Sequence, residues 1–151
     1  MTDRCVVHST FSLERVYATS AGRVFEAWAD PAAKARWFSP SGPHELDFRV
    51  GGREVNRGNN LEGQILTFES HYHDIVVDRR IAYTSTLSVE EHVVTVSLTT
   101  VEFIPDGDTT RLVLTEHAAF LDDHEQPEWR EQGTSDWLDA LAAELKNRTD
   151  A

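Results

Sequence analysis

The chain has 151 residues, and we expect a single domain over residues 1–151 with its core at about 9–148. It carries 14 Lys and Arg against 26 Asp and Glu, and the resulting net charge of −12 argues against nucleic acid and an anionic membrane surface as partners. No apolar run approaches the roughly 20 residues of a membrane span, and the N-terminus lacks the apolar core of a signal peptide. The single Cys5 cannot form an internal disulfide, so we expect a cytoplasmic protein.

The first part of the chain predicts one strand and two short helices. After a lead-in at residues 1–8, alternating side chains at residues 11–18 predict a strand. Residues 24–28 then present one apolar helical face. Pro31 ends this helix, because the residue before a proline is disfavoured in helical geometry, and residues 32–38 predict a second short helix.

The middle of the chain predicts only strands. These segments are rich in β-branched residues or alternate in polarity, and turn sequences such as Gly51-Gly52 and Pro105-Asp106-Gly107-Asp108 separate them. The predicted strands cover residues 44–50, a segment starting at Arg53, and residues 65–77, 81–89, 93–104 and 110–117.

The last long segment, residues 127–148, predicts an amphipathic helix. Its apolar residues, among them Trp137, Leu141 and Leu145, recur at helical spacing. At about 1.5 Å per residue the helix would be roughly 30 Å long, enough to cross a sheet. Gly133 lies in its interior at a cost of about 1 kcal/mol relative to Ala, which predicts either close approach of a strand or room for a ligand.

The order of the predicted elements indicates the fold class. One strand and two short helices precede about six antiparallel strands, and a long helix follows them. Such a sheet has one face to cover, and the long helix is the element able to cover it. We therefore predict an α+β helix-grip fold, in which a curved antiparallel sheet wraps around the C-terminal helix and encloses a cavity.

A series of segments between about residues 11 and 145 matches a known family in order and spacing. They are Phe11-Ser12-Leu13-Glu14-Arg15, Val24-Phe25-Glu26-Ala27-Trp28-Ala29-Asp30-Pro31, Lys34-Ala35-Arg36-Trp37-Phe38, Asp47-Phe48-Arg49-Val50-Gly51-Gly52-Arg53-Glu54, Tyr72-His73-Asp74-Ile75-Val76, Arg80-Ile81-Ala82-Tyr83, Thr110-Arg111-Leu112-Val113-Leu114-Thr115-Glu116, Phe120-Leu121-Asp122, Arg130-Glu131-Gln132-Gly133-Thr134 and Leu138-Asp139-Ala140-Leu141. They resemble the SRPBCC (START-like) superfamily, and more narrowly its branch of activator of heat-shock-protein-90 ATPase homologues, which is often labelled polyketide cyclase/dehydrase-like. The resemblance implies the helix-grip fold. Because this fold hosts binding proteins, cyclases, hydrolases and interaction modules, it leaves the function open.

Glu116, near the end of the last predicted strand, is the candidate for acid–base chemistry. Neighbouring strand residues face opposite ways, so Glu116 faces the core if Leu112 and Leu114 do. A carboxylate in an apolar cavity has a raised pKa and can act as an acid or base, or bind a ligand amine or hydroxyl. The alternative is a frayed strand end with a solvated or Arg-paired Glu116.

Two histidines raise the question of a metal site. Glu69, His71 and His73 share one face of a regular strand, as the metal ligands of cupin-type barrels do. The glycines and the following acidic ligand of that motif are absent, and Tyr72 and Ile75 occupy positions typical of the core. We therefore predict surface histidines and no metal, unless a strand bulge alters the alternation.

Three aromatic residues are predicted to form the walls of a pocket for a flat or hydrophobic ligand. Trp137 lies midway along the long helix, and Tyr72 and Tyr83 lie on central strands. Core packing is the alternative for all three, and it is the prediction for Trp28. Buried Tyr hydroxyls need partners, which a polar ligand or Glu116 can provide.

Motifs of cofactor and covalent chemistry are absent from the sequence. No Gly-rich phosphate loop precedes a helix, and neither a Gly-x-Ser-x-Gly elbow nor a Cys/His pairing is present. We therefore expect no cofactor. The acidic run at residues 122–125 predicts a loop, with cation binding or a place at the pocket mouth as alternatives.

The leading hypothesis is a protein that binds a small hydrophobic or aromatic ligand through Tyr72, Tyr83, Glu116 and Trp137. The first alternative is a cofactor-independent cyclase, dehydratase or hydrolase with Glu116 as the catalytic acid or base. The second, implied by the resemblance, is a co-chaperone-like interaction module, although those co-chaperones carry a further N-terminal domain for which this chain leaves no room. A homodimer stays open, because the sequence identifies no exposed heptad or apolar strand edge.

Overall fold

The computed structural model describes residues 4–40 and 42–149, apart from the side chains of residues 148 and 149. Within these residues the chain forms seven strands and three helices, and no helix is both long and apolar enough to cross a membrane. The elements are β1 (Val6–Tyr17), α1 (Ala21–Ala29), α2 (Pro31–Phe38), β2 (His44–Leu46), β3 (Arg53–Asn59), β4 (Ile65–Val76), β5 (Arg80–Val89), β6 (His92–Asp106), β7 (Thr109–Leu121) and α3 (Pro127–Thr149).

The seven strands form one curved antiparallel sheet in the order β1-β7-β6-β5-β4-β3-β2. The long helix α3 covers one face of this sheet. There Leu138 and Leu141 are buried in a core that also contains Leu112 and Leu114 of β7. The hydroxyl of Tyr17, at the end of β1, donates to the Leu138 carbonyl at 2.9 Å. This arrangement confirms the predicted α+β helix-grip fold.

Capping side chains explain why two short helices follow β1. The Ser20 side chain accepts a hydrogen bond from the backbone amide of Arg23 at 3.3 Å and starts α1. Asp30 ends α1 and caps α2, because its carboxylate accepts from the Ala33 amide at 3.0 Å. Pro31 occupies the first turn of α2, where its missing N–H costs no hydrogen bond. The two helices therefore follow each other without a linker.

β1 and β7 extend furthest beyond their predicted bounds. β1 begins at Val6, so the prediction of a lead-in over residues 1–8 is wrong for residues 6–8, and residues 1–3 lie outside the described part of the chain. β7 continues to Leu121, beyond the predicted end at residue 117. The two extensions have one cause, since Val6 pairs with Leu121 and each strand end supplies the hydrogen bonds of the other.

β2 is shorter than predicted, since it ends at Leu46 instead of residue 50. The chain turns sharply after it. The Gly52 amide donates to the Arg49 carbonyl at 2.8 Å, and a Cβ added at Gly52 would lie 2.1 Å from the Asp47 carbonyl oxygen. Glycine is therefore required at position 52, and the turn takes residues that the alternating pattern assigned to a strand.

Candidate functional site

A cleft of about 550 Å³ opens beside the first half of α3. We call it the outer cleft. One wall belongs to α3, and the others belong to the segment after α2 and to strands β3, β4 and β5. Its aromatic lining residues are Phe38, Phe68, Trp129 and Trp137. Gly133 also lines it, and no heavy atom lies within 4 Å of a Cβ added there. Of the two predicted reasons for this glycine, close approach of a strand is therefore excluded.

A second cavity, of about 20 Å³, lies deeper in the protein. We call it the inner cavity, and its volume suits about one water molecule, which needs roughly 10–15 Å³ on this measure. Phe38, Phe68 and Trp137 line both spaces. Their ring centroids are 4.4 Å apart for Phe38–Trp137, 6.1 Å for Phe68–Trp137 and 6.2 Å for Phe38–Phe68. These three rings therefore form an aromatic partition between the outer cleft and the inner cavity.

Glu116 lines the inner cavity and is 5% exposed. Its strand continues past it, so the alternative of a frayed, solvated end is wrong, whereas the pairing with an arginine that this alternative named is present. Thr99 Oγ1 donates to Glu116 Oε1 at 3.2 Å, and Arg130 Nη1 donates to Oε2 at 3.3 Å. Burial raises the pKa of the Glu116 carboxyl above its ordinary value of 4.5, although Arg130 and Thr99 oppose that effect.

Arg130 connects the inner cavity to the outer cleft. It is buried, and its Nη2 donates to Thr95 Oγ1 at 2.6 Å and to Glu125 Oε2 at 3.2 Å. Its guanidinium also lies over the Phe68 ring, 5.6 Å from the centroid. The acidic loop at residues 122–125 therefore contributes Glu125 to the cleft wall. Sequence reasoning gave Arg130 no role. The available signal was a cation near the start of a helix, where the helix dipole disfavours positive charge.

A second cluster of buried polar side chains lies around Glu54 of β3, and the sequence gave no indication of it. Lys34 Nζ donates to Glu54 Oε1 at 2.9 Å, and His44 Nε2 lies 2.7 Å from Oε2. The Tyr72 hydroxyl donates to Oε1 at 3.0 Å. Burial opposes the charge of Glu54, but Lys34 and His44 together hold the pKa of its carboxyl below the ordinary value. We call these four residues the Glu54 cluster.

The predicted pocket residues are only partly brought together. Tyr83, Glu116 and Trp137 all line the inner cavity. Tyr72 packs on Tyr83 with ring centroids 5.7 Å apart, but its hydroxyl belongs to the Glu54 cluster, and it lines neither of the two spaces. Trp28 packs in the core as predicted, and its Nε1 has no hydrogen-bond partner among the described residues.

The two histidines of β4 lie away from the cleft. Both side chains are exposed, while Tyr72 between them is buried. His71 Nε2 lies 3.0 Å from Glu69 Oε2, and His73 Nε2 lies 2.7 Å from Thr84 Oγ1. The pairing of β4 with β5 shifts register next to His73, but this irregularity does not turn either imidazole inward.

A curved antiparallel sheet that grips one long helix, with cavities between them, defines a protein of the START-like (SRPBCC) class. Residues 18–146 match the family described as Activator of Hsp90 ATPase homolog 1-like protein, and the chain belongs to that family.

Solved structures of similar proteins come from several bacteria. A protein from Rhizobium leguminosarum is 37% identical with a TM-score of 0.92, and the match covers 97% of this chain and 99% of that one. The protein Mll3558 from Rhizobium loti is 43% identical with a TM-score of 0.87, covering 93% and 99%. The protein CV1439 from Chromobacterium violaceum is 28% identical with a TM-score of 0.76, covering 90% and 96%. No curated protein matches the chain.

Proposed function

We propose that the protein binds a small, largely apolar aromatic molecule in the outer cleft. The observation that carries this proposal is the cleft itself, because its volume of about 550 Å³ lies within the range of about 300–1,000 Å³ that is common for small-molecule sites. Its aromatic rings supply apolar contact area, as the walls of such sites usually do.

The polar groups next to the cleft would orient the ligand. Arg130, Thr95 and Glu125 are held by one another, which keeps the guanidinium in one place. The inner cavity has room for one small polar group of the ligand, provided the aromatic partition moves. Such a group would meet the Glu116 carboxyl, and an acceptor there would give Trp28 Nε1 a partner.

A cleft-filling variant tests the proposal. Gly58 of β3 lines the outer cleft, and a Cβ added there meets no heavy atom within 4 Å. We expect native mass spectrometry of protein purified from its own source to show a non-covalent organic adduct. Gly58→Phe, purified in the same way, should lose this adduct.

Val96→Phe is the matched control, because Val96 is exposed in a shallow hollow of the sheet that involves β1, β5 and β7. It should keep the adduct. A mass without adduct for the wild type, or an equal adduct on Gly58→Phe, would contradict the proposed site.

Acid–base catalysis is the second candidate, and the position of Glu116 favours it. A carboxyl with a raised pKa beside a cavity that fits one small group can exchange a proton with a bound molecule. Burial also raises the pKa of the neighbouring Tyr83 hydroxyl, which is therefore a donor at neutral pH. We expect Glu116→Gln to abolish turnover in a screen for cyclisation, dehydration and hydrolysis while ligand binding persists. Unchanged turnover in this variant would exclude the catalytic role.

A further inference from the structure

We propose that Gly133 determines ligand specificity, because it forms the floor of a slot between Trp129 and Trp137 that accepts one flat, uncharged aromatic ring. The inference rests on the proposed function of the outer cleft. It adds a ligand class and a residue that selects for it.

The spacing of the three residues defines the slot. Trp129, Gly133 and Trp137 follow one another at intervals of four residues in α3, so they lie on one stripe of the helix, and all three line the outer cleft. Eight residues span about 12 Å of helix. A ring stacked between two others makes two aromatic contacts, each with a distance of about 4.5–7 Å between ring centroids. The separation of positions 129 and 137 along the helix axis therefore leaves room for one inserted ring.

The local structure of the helix gives no other reason for a glycine. Position 133 lies inside a regular helix, and its backbone is not among those with positive φ, so any residue would suit its conformation. No heavy atom lies within 4 Å of an added Cβ, so packing does not require a small residue either. A side chain at position 133 would instead extend into the outer cleft.

Trp129 offers an exposed apolar ring at the edge of the outer cleft. Its side chain is 65% exposed, whereas Trp28 and Trp37 are each 3% exposed. Together with the other aromatic residues of the cleft, this ring supplies contact area for a flat ligand. A flat ligand over Gly133 would cover one face of Trp129 and remove it from water.

The charges next to the slot select against an anion. Among the described residues, two cations line the outer cleft, and both already have partners. Arg130 donates to Glu116, Glu125 and Thr95. Arg57 Nη1 lies 3.9 Å from Glu45 Oε2. An anionic ligand would have to break these interactions or approach the carboxylates that make them. The net charge of −12 acts in the same direction. An uncharged ring neither breaks these interactions nor is repelled by the carboxylates.

Two related fluorescent probes test the slot. N-phenyl-1-naphthylamine is uncharged, and 8-anilino-1-naphthalenesulfonate adds a sulfonate to the same ring system. Both would be titrated into the wild type and four variants, namely Gly133→Ala, Gly133→Leu, Gly58→Phe and Ala143→Leu. Ala143→Leu is the bulk control, because Ala143 is exposed on α3 and lines neither space.

We expect the wild type to bind the uncharged probe at least about tenfold more tightly than the sulfonate. Gly133→Ala should weaken it by about tenfold, as expected for overpacking by one methyl group. Gly133→Leu should abolish binding and Ala143→Leu should leave it unchanged, while thermal unfolding shows that both variants are folded.

The outcomes separate the slot from the proposed function. Binding that is lost in Gly58→Phe but kept in Gly133→Leu would overturn the slot and leave the cleft as the binding site. Equal affinity for the two probes would overturn the selection against anions. A wild type that binds neither probe and carries no adduct would overturn both proposals.

Discussion

Two buried carboxylates, Glu54 and Glu116, differ in their surroundings. In the Glu54 cluster, Lys34, His44 and Tyr72 all direct polar atoms at one carboxylate, and the Lys34 Nζ also lies 4.3 Å from the centroid of the Phe38 ring. Around Glu116, the partners are Thr99 and Arg130, and an inner cavity adjoins the carboxylate. The first carboxylate is fully enclosed by its partners, and the second has space beside it. We therefore expect loss of a partner in the Glu54 cluster to affect mainly stability, and we propose that Glu116 serves the site.

The largest effect is expected from breaking the Glu54 cluster. Lys34→Met keeps the apolar stem of the side chain but leaves Glu54 buried without its ammonium partner. We expect the free energy of unfolding to fall by about 3–5 kcal/mol, the usual cost of removing one partner of a buried pair. Denaturant unfolding measures it. Adding Glu54→Gln to Lys34→Met should recover part of the loss, and no recovery would mean that lost packing, not charge, is the cause.

A smaller stability effect is expected at the site. Arg130→Met should lower the free energy of unfolding by about 2–3 kcal/mol, since hydrogen bonds to the buried guanidinium are lost. The loss is smaller than for Lys34→Met because Glu116 can take up a proton when its partner is removed. Affinity for the uncharged probe should fall in parallel, since Arg130 lines the outer cleft. A stability loss that equals that of Lys34→Met, with unchanged probe affinity, would contradict the distinction between the two groups.

The two carboxylates should also give opposite pH dependences. The pKa of Glu116 is raised on folding, so its contribution to stability is lost as the pH rises from about 4.5 through the folded pKa. The pKa of Glu54 is lowered, so its contribution is lost as the pH falls below about 4.5.

Melting temperatures of the wild type, Glu116→Gln and Glu54→Gln across this range measure both effects. Relative to Glu116→Gln, the wild type should lose stability towards higher pH. Relative to Glu54→Gln, it should lose stability towards lower pH. Two differences of the same sign would show that one of the two assignments is wrong.

The smallest effect concerns the helix that lines the cleft. Gly133→Ala should raise the free energy of unfolding by about 1 kcal/mol, because alanine favours the helix and meets no neighbour. Denaturant unfolding of the ligand-free protein measures this gain. A loss of stability would mean that the glycine is needed for packing, and it would contradict the inference that Gly133 is there to leave space for a ligand.

Periodicity was sufficient for the order of the elements, although not for all of their bounds, and for the direction of two key side chains. The alternation of Leu112 and Leu114 placed Glu116 inside the fold, and the helical stripe placed Trp137 on the sheet side of α3. Both follow from patterns within one element. The interior Gly133 was likewise visible as a local cost without a local reason.

Contacts between distant elements were not predictable in this way. Lys34 and Glu54 are 20 residues apart, and each has the polarity of a surface residue in its own segment. Only the packing of α2 against β2 and β3 makes them partners. The place of Tyr72 was not predictable either. Strand alternation shows which face of the sheet a side chain lies on, but it does not show that the Tyr72 hydroxyl reaches Glu54.

Locating a bound ring on the protein tests the central claim most directly. Backbone amide NMR shifts would be followed while N-phenyl-1-naphthylamine is added to the wild type. We predict that the largest shifts fall on the walls of the outer cleft, at Gly58, Leu66, Leu87 and Gly133. Shifts confined to the shallow hollow at Val96, Leu98 and Ala119 would contradict the proposed site.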